Sequence, residues 1–446
     1  MAYPAEFQTR MEQLLGEDAH RLFASLEAEP CRALRYNQAL LTQEGFSSLM
    51  ENARIKPVPF VSNGFYFSLD GIGNTPLHHG GGIYVQEPAA MAPVAALGDE
   101  RVHAVLDLCS APGGKSLQAA ERILDENGIL ICNEPSPQRR RALMQNLERL
   151  GEKRCLVTGF DATHLPKELY GFFDLVITDA PCSGEGMMRK NETAAEAWNI
   201  ENVLSLAALQ AEILESAAKA VKNGGRILYS TCTWAKEENE DNVTRFLESH
   251  PEFISLPPDP AVACCAKEGL VPNTLRFYPH IFDGEGQFLA IFKRESGAES
   301  PYSPKKKKEK GKKPDPRINA VEKFLAEVLE ERPEGALLFR DEDVYLIKDT
   351  PFPEELFVSP GVLIGSVQKG RVIPHHRFFR AYAANFRNRI SLPYSDPRVE
   401  AYLRGEEISL EGNGYGVLFA DTLPLGGVKC SAGRGKNYYP KGLRKL

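Results

Sequence analysis

The sequence predicts an α/β chain: a doubly wound, mostly parallel sheet between a small N-terminal α/β domain and a C-terminal α+β module. Three observations lead there. Apolar, β-rich runs recur at Val102–Leu108, Gly128–Cys132, Cys155–Phe160, Phe173–Thr178, Arg226–Ser230 and Phe288–Phe292. Helical patterns fill the intervals at Lys115–Asp125, Gln138–Leu150, Val203–Val221 and Glu237–His250. Strands that are apolar along their whole length need cover on both faces, which right-handed helical crossovers supply. Lastly, a stretch rich in lysine and proline separates this alternating part from the rest of the chain.

In chain order, residues 1–75 form the small N-terminal domain. Helical patterns at Phe7–Leu15 and Asp18–Leu26, the first starting at Pro4 and stopping near Gly16, precede a Pro- and Gly-punctuated stretch. Residues 76–296 carry the alternating strands and helices. Residues 297–316 read as a linker, because the lysines at 305–308, 310, 312 and 313 repel one another and the prolines break helices. Residues 317–446 open with a helix, Ile318–Leu329, followed by short β-like runs at Val344–Ile347, Gly361–Ser366 and Gly416–Phe419. No internal repeat is visible.

Composition narrows the class. With 43% hydrophobic and 25% charged residues, the chain is neither disordered nor a disulfide scaffold. No apolar run could cross a bilayer, and the N-terminus lacks a basic region followed by an apolar one, so a soluble cytoplasmic protein is expected. The nine cysteines are odd in number and contain no C-x-x-C pair, so reduced thiols are expected. The net charge of −7 divides unevenly: residues 1–300 carry −14 and residues 301–446 carry +7. An acidic body joined to a basic C-terminal part suggests a nucleic-acid partner, though a solvated basic surface looks the same in sequence.

Ligands of doubly wound sheets sit beyond the carboxyl ends of the strands. The first strand runs into Cys109-Ser110-Ala111-Pro112-Gly113-Gly114-Lys115, small residues that allow close backbone approach before a helix opens. Its spacing matches neither a phosphate loop nor a dinucleotide fingerprint. The second strand ends at Glu134, a candidate ribose acceptor, and the third at Asp161, a candidate partner for a base amino group. Taken alone, the glycine loop reads more readily as a tight turn and Glu134 as a solvated strand end. As a series they fit S-adenosylmethionine better than a phosphate cofactor, since only Lys115 is placed for a pyrophosphate.

The fourth strand leads through Asp179 to Cys182, and the fifth to Cys232. A lone free cysteine is usually a small buried hydrophobe. Two at the ends of neighbouring strands suggest chemistry. Carbon 5 of cytosine becomes nucleophilic enough for methylation once a thiolate adds to carbon 6, and a second group can then assist proton removal or release. Residue logic leaves open which thiol adds.

The motifs Asp107-Leu108-Cys109-Ser110-Ala111-Pro112-Gly113-Gly114-Lys115-Ser116, Asp179-Ala180-Pro181-Cys182-Ser183-Gly184 and Ser230-Thr231-Cys232-Thr233 resemble those of the Sun-family RNA cytosine-5 methyltransferases, most closely the bacterial RsmF-type 16S rRNA enzymes. The resemblance extends to Ala33-Leu34-Arg35-Tyr36-Asn37, Tyr84-Val85-Gln86-Glu87-Pro88 and the segment Lys436–Arg444, so it covers nearly the whole chain. It implies a Rossmann-like class I methyltransferase fold with a PUA-like C-terminal module. It further implies S-adenosylmethionine held by residues 109–115 with Glu134, Asp161 and Asp179. Cys232 would be the nucleophile and Cys182 the residue needed for release, with Asp179 and Lys115 completing the catalytic set. DNA cytosine-5 methyltransferases use a Pro-Cys cysteine like Cys182 as nucleophile, so the assignment of Cys232 rests on the family. Trp234 stands where an RsmF-type enzyme often has Phe, and the linker is unusually basic.

A paired cytosine cannot be attacked at carbon 6, so the target must be unpaired or flipped out. Arg189 and Lys190 are candidates to hold a phosphate beside it, with a surface charge pair as the plain alternative. Lys436, Tyr438, Lys441 and Arg444, in a tail without acidic residues, suit an RNA backbone and stacked bases. Adjacent His375 and His376 lack further ligands, so no metal is expected. The expected partner is rRNA, free or in the small subunit, met by a monomer. A tRNA methyltransferase of the same family and a non-catalytic assembly factor are the alternatives.

Overall fold

The computed structural model describes residues 3–190, 192–297 and 315–445. Most of the expected linker, with all its lysines between 305 and 313, lies outside the described residues.

The N-terminal helices Ala5–Leu15 and Ala19–Leu26 are amphipathic, with Phe7, Met11, Leu15, Leu22 and Leu26 on the buried side. That side packs onto Met188, Trp198, Trp234 and Tyr278 of the following domain. A separate antiparallel sheet joins Arg54–Pro57, Gly64–Ser68, Ala33–Tyr36 and Ile83–Val85, in that order. Its fourth strand lies beyond residue 75, so the N-terminal sheet runs past the expected boundary.

The central sheet contains β1 (Val102–Asp107), β2 (Leu124–Asn133), β3 (Cys155–Thr158), β4 (Phe173–Asp179), β5 (Val221–Thr231), β6 (Phe253–Leu256), β7 (Lys267–Glu268), β8 (Thr274–Phe277) and β9 (Gln287–Arg294). Its order is β7-β8-β9-β5-β4-β1-β2-β3, with β6 paired to β9. Strands β1 to β5 are parallel, and the order reverses between β1 and β4. Helices α1 (Gly114–Arg122) and α2 (Pro137–Arg149) cover one face, while α3 (Ile200–Ala220) and α4 (Glu240–Ser249) cover the other. Successive β residues therefore serve two cores: Val105, Leu130 and Leu175 meet Leu117, Leu143 and Leu147, whereas Leu106, Ile131 and Val176 meet Ile213, Leu214 and Phe246. Burying each such side chain stabilises the fold by about 1.5–3 kcal/mol.

One run departs from the sequence expectation. Phe288–Phe292 belongs to β9, which is antiparallel to β5 and to β8. It is apolar along its length because both its faces are covered, and cover on both faces carries no information about direction.

The C-terminal part divides into two sheets behind the helix Ile318–Val328. The first joins Ala336–Arg340, Asp343–Ile347, Val362–Gln368 and Arg371–Pro374 as an antiparallel meander. The second has five strands between Arg389 and Asn437, with one parallel pair, Arg389–Leu392 beside Gly414–Ala420. Phe324, Ile364, Phe378, Phe386 and Val417 give the two a common core. Contacts with the central domain fix the module in place: the Val157 N–H donates to Ser359 O at 2.9 Å, and Phe352 packs edge-on against Phe172.

Candidate active site

At the carboxyl end of β1 the chain folds back on Asp107. Its buried carboxylate accepts from Ser116 Oγ at 2.6 Å and from the Cys109 N–H at 3.2 Å, closing the loop onto the first turn of α1. Burial pushes this carboxyl up to about 7, against the pull of Ser116. Gly113 enters α1 with φ of 108°, a left-handed conformation that glycine tolerates. At Gly114 a Cβ would come within 3.3 Å of the Tyr84 ring and 3.4 Å of Gln86. The N-terminal sheet thus braces the loop. Arg35, 1% exposed, donates to Gln86 Oε1 at 2.9 Å and to Gly114 O at 3.2 Å, and pairs with Glu121. Arg35 and Gln86 belong to segments that carry the resemblance, and their task of bracing the loop becomes visible only in the fold.

Glu134 follows β2 with its side chain 1% exposed. One oxygen accepts from the Ser136 N–H at 2.9 Å. The other lies 3.2 Å from Arg139 yet accepts no hydrogen bond. Arg139 also donates to Ala111 O at 2.9 Å, linking the ends of β1 and β2. Asp161, after β3, is two-thirds exposed. One of its oxygens caps a turn at the Thr163 N–H and hydroxyl, and these bonds hold its carboxyl below the usual range.

Strands β4 and β5 run side by side with Asp179 opposite Ser230. Asp179 accepts from Ser230 Oγ at 2.8 Å and pairs with Lys115 Nζ at 2.8 Å. Burial works against the Lys115 ammonium, but Asp179, with Cys232 nearby, outweighs it and raises the amine. Just beyond, Cys182 Sγ and Cys232 Sγ stand 3.3 Å apart, both as free thiols. The contact with Cys232, and then burial, push the Cys182 thiol well up, so it stays protonated. The two loops touch because glycine permits it. The Gly186 N–H donates to Cys232 O at 2.9 Å, the Gly286 N–H donates to Gly186 O at 3.0 Å, and a Cβ at Gly186 would collide with Gly286 Cα. Trp234 is fully buried, stacks on Tyr278 at 5.6 Å and donates to Phe277 O at 2.9 Å, so this departure from the family pattern faces the core.

Four strand ends thus bring together residues 109–115, Glu134, Asp179, Lys115, Cys182 and Cys232. The structure does not free Arg189 for RNA. Arg189 lies in a buried ion pair with Glu285 at 2.7 Å and also donates to Ser25 O and Gly284 O. Lys190 pairs with the same carboxylate at 3.3 Å. The charge of Arg189 is spent inside the protein, which corrects the sequence expectation for that residue, whereas Lys190 pairs with Glu285 from the exposed surface.

In the C-terminal sheet Tyr415, Lys429 and Lys436 occupy facing positions on three adjacent strands. The Lys429 ammonium sits 4.7 Å from the Tyr415 ring centre and Lys436 lies 5.9 Å from that of Tyr438. Both lysines are exposed, as is Lys441. Arg444 packs over Gly405 and is half-buried. His376 is buried in the module core. Among the described residues no group of three or more His, Cys, Asp or Glu could hold a metal, and no helix is long and apolar enough to cross a membrane. A cleft of about 830 Å³ opens elsewhere, between the back of α1 and the C-terminal module, and contains neither thiol.

Comparison with known proteins agrees with this arrangement. Residues 94–293 match the family described as 16S rRNA methyltransferase RsmB/F, residues 3–88 the N-terminal domain of 16S rRNA methyltransferase RsmF, and residues 389–445 the methyltransferase RsmF PUA domain. Ribosomal RNA small subunit methyltransferase F of Shewanella piezotolerans is 31% identical over 95% of this chain and 93% of its own. Its counterpart in Vibrio parahaemolyticus is 35% identical over 84% and 82%. Among solved structures, a methyltransferase homolog protein from Pyrococcus horikoshii shares 26% identity over 66% of this chain and 96% of its own, with a TM-score of 0.56. NSun6 from the same organism, at 20% identity and a TM-score of 0.60, shares the fold. With all three segments matched in order and relatives aligned almost end to end, the chain belongs to the 16S rRNA methyltransferase RsmF family.

Proposed function

We propose that this protein methylates carbon 5 of cytosine in 16S rRNA, using S-adenosylmethionine and a covalent bond between Cys232 and the base. The observation that carries the reading is the pair of thiols 3.3 Å apart beside the Lys115–Asp179 ion pair. The relatives' names supply the RNA: they are ribosomal RNA small subunit methyltransferases.

The residues present fit the cofactor. The buried oxygen of Glu134 that accepts no hydrogen bond can accept from a ribose hydroxyl. Asp161 keeps an exposed oxygen for the base amino group. S-adenosylmethionine, when bound, supplies an electrophilic methyl group.

The remaining work falls to the chain. Cys232, at the end of β5 beside the Lys115–Asp179 pair, adds as the thiolate to carbon 6 of the cytosine and makes carbon 5 enamine-like. Asp179, held by Lys115 and Ser230, faces the same space and orients the base through its amino group. After carbon 5 gains its methyl group, solvent takes the carbon 5 proton, the carbon–hydrogen electron pair re-forms the double bond between carbons 5 and 6, and the carbon–sulfur bond breaks to release Cys232 as thiolate. Cys182, kept as a thiol, serves this last stage. The exposed lysines and half-buried tyrosines of the C-terminal sheet, with Lys441, would hold the RNA backbone and stacked bases.

Denaturing gels of variants incubated with 16S rRNA fragments and cofactor test the assignment. Cys182→Ala is expected to accumulate a protein–RNA adduct, and Cys232→Ala to form none. The reverse pattern would exchange the two roles.

A further inference from the structure

Between Trp234 and α4 the chain reads Lys236-Glu237-Glu238-Asn239-Glu240, which in sequence is one more acidic run. Its members fare differently. Glu237 pairs with Arg10 near the surface, Glu240 with buried Arg276, and Glu238, 0% exposed, has no cationic partner among the described residues. A carboxylate without a counterion is costly to bury unless hydrogen bonds satisfy it. Glu238 has three donors: the Ser183 N–H at 3.0 Å, the Ser183 hydroxyl, and Gln210 Nε2 at 2.7 Å.

We propose that Glu238 is a positioning residue for the release step, clamping the backbone on both sides of Cys182 so that its thiol stays beside Cys232. The inference rests on the role given to Cys182 above. On the far side of Cys182, Ser183 is bound directly. On the near side, Gln210 donates to Pro181 O at 2.8 Å as well as to Glu238. Gln210 is itself oriented, because its oxygen accepts from Tyr229 at 3.0 Å and Asn242 at 3.2 Å. Ser183 Oγ gives its single proton to Glu238 and so accepts from Thr233 Oγ1 at 2.8 Å, which ties the loop to the residue after Cys232. Both neighbours of Cys182 and one neighbour of Cys232 thus converge on one carboxylate. Glutamine in its place offers one acceptor and turns an N–H₂ group toward groups that themselves donate.

The test uses full-length protein, a 16S rRNA fragment and S-adenosylmethionine, with Cys182→Ala on the same gel. Glu238→Gln is expected to retain adduct formation and single-turnover methyl transfer while steady-state turnover falls, by about 100-fold if the thiol shifts by 1 Å. The adduct therefore accumulates, a signature that a merely structural role would not give. Ser183→Ala removes one strand of the clamp with less risk to folding and should show the same accumulation in weaker form; it decides the matter if Glu238→Gln does not fold. Unchanged turnover, or turnover lost with no adduct, overturns the inference. If Cys182→Ala accumulates adduct and neither clamp variant does, only the role of Glu238 fails. If Cys182→Ala gives none, the reading of Cys182 fails, and the inference with it.

Discussion

Replacing Arg189 separates a structural role from an RNA-binding one. Its guanidinium meets Glu285 twice, at 2.7 and 3.2 Å, and the pair is almost sealed, with side chains 7% and 0% exposed. Arg189→Met leaves the carboxylate buried without its main partner, and breaking one side of such a pair costs about 3–5 kcal/mol. Lys190, 3.3 Å from the same oxygen, remains and offsets part of this, so a loss near 3 kcal/mol is expected from urea unfolding. The double variant Arg189→Met, Glu285→Gln removes the stranded charge and should recover much of that loss. RNA affinity of the folded single variant should stay within about twofold, and the slope of log affinity against log salt should not change. A phosphate contact would behave oppositely: full stability, weaker binding, and a slope reduced by about 0.7–0.9. That result would refute the assignment of Arg189 to the core.

On the C-terminal sheet, Lys429→Ala and Lys436→Ala should each lower that salt slope by about 0.7–0.9, whereas Lys222→Ala, which breaks a pair with Asp174 at the opposite end of the central sheet, should not. Filter binding at four salt concentrations checks both. A second expectation concerns acid. Burial holds His78 down at about 3, His79 and His375 at about 4, and His376 lower than its ordinary value, all where the C-terminal module meets the body beside Arg149, Arg377 and Arg380. These imidazoles are neutral in the folded state and regain a value near 6.5 on release, so their contribution is complete above pH 6.5 and shrinks as pH falls toward 4. Glu148, which faces Arg377 and Arg380 and is pushed up to about 7 by burial, acts with the opposite sign, so the histidine effect is best isolated by difference. Relative to His376→Phe, the native protein should lose up to about 1.4 kcal/mol per pH unit below 6.5 in urea unfolding. A constant difference between pH 7.5 and 5 would contradict this.

The parts of the site legible in sequence are those carried by contiguous residues at the ends of strands. Residues 109–115, Asp179-Ala180-Pro181-Cys182 and Thr231-Cys232 each lie where a parallel strand must stop, so strand order alone brings them together. The clamp residue was hidden for another reason. Glu238 has the composition of a solvated helix start, and only its burial beneath Ser183 distinguishes it from Glu237.

The direction of one strand places the partner of Arg189. Were β9 parallel to β5, the residues before Gln287 would lie at the end of the sheet away from the cysteines. Glu285 would then be out of reach, and Arg189 would look like a free cation beside the flipped base. Because β9 is antiparallel to β5, Phe288 pairs with Thr231, and Gly284-Glu285-Gly286 is delivered to the catalytic end instead. There Gly286 touches Gly186 and Glu285 receives Arg189 and Lys190. A hydrophobic pattern of period zero, buried on both faces, cannot report strand direction. The direction of that one strand gives Arg189 a buried partner and so makes it a structural residue behind the Cys182 loop.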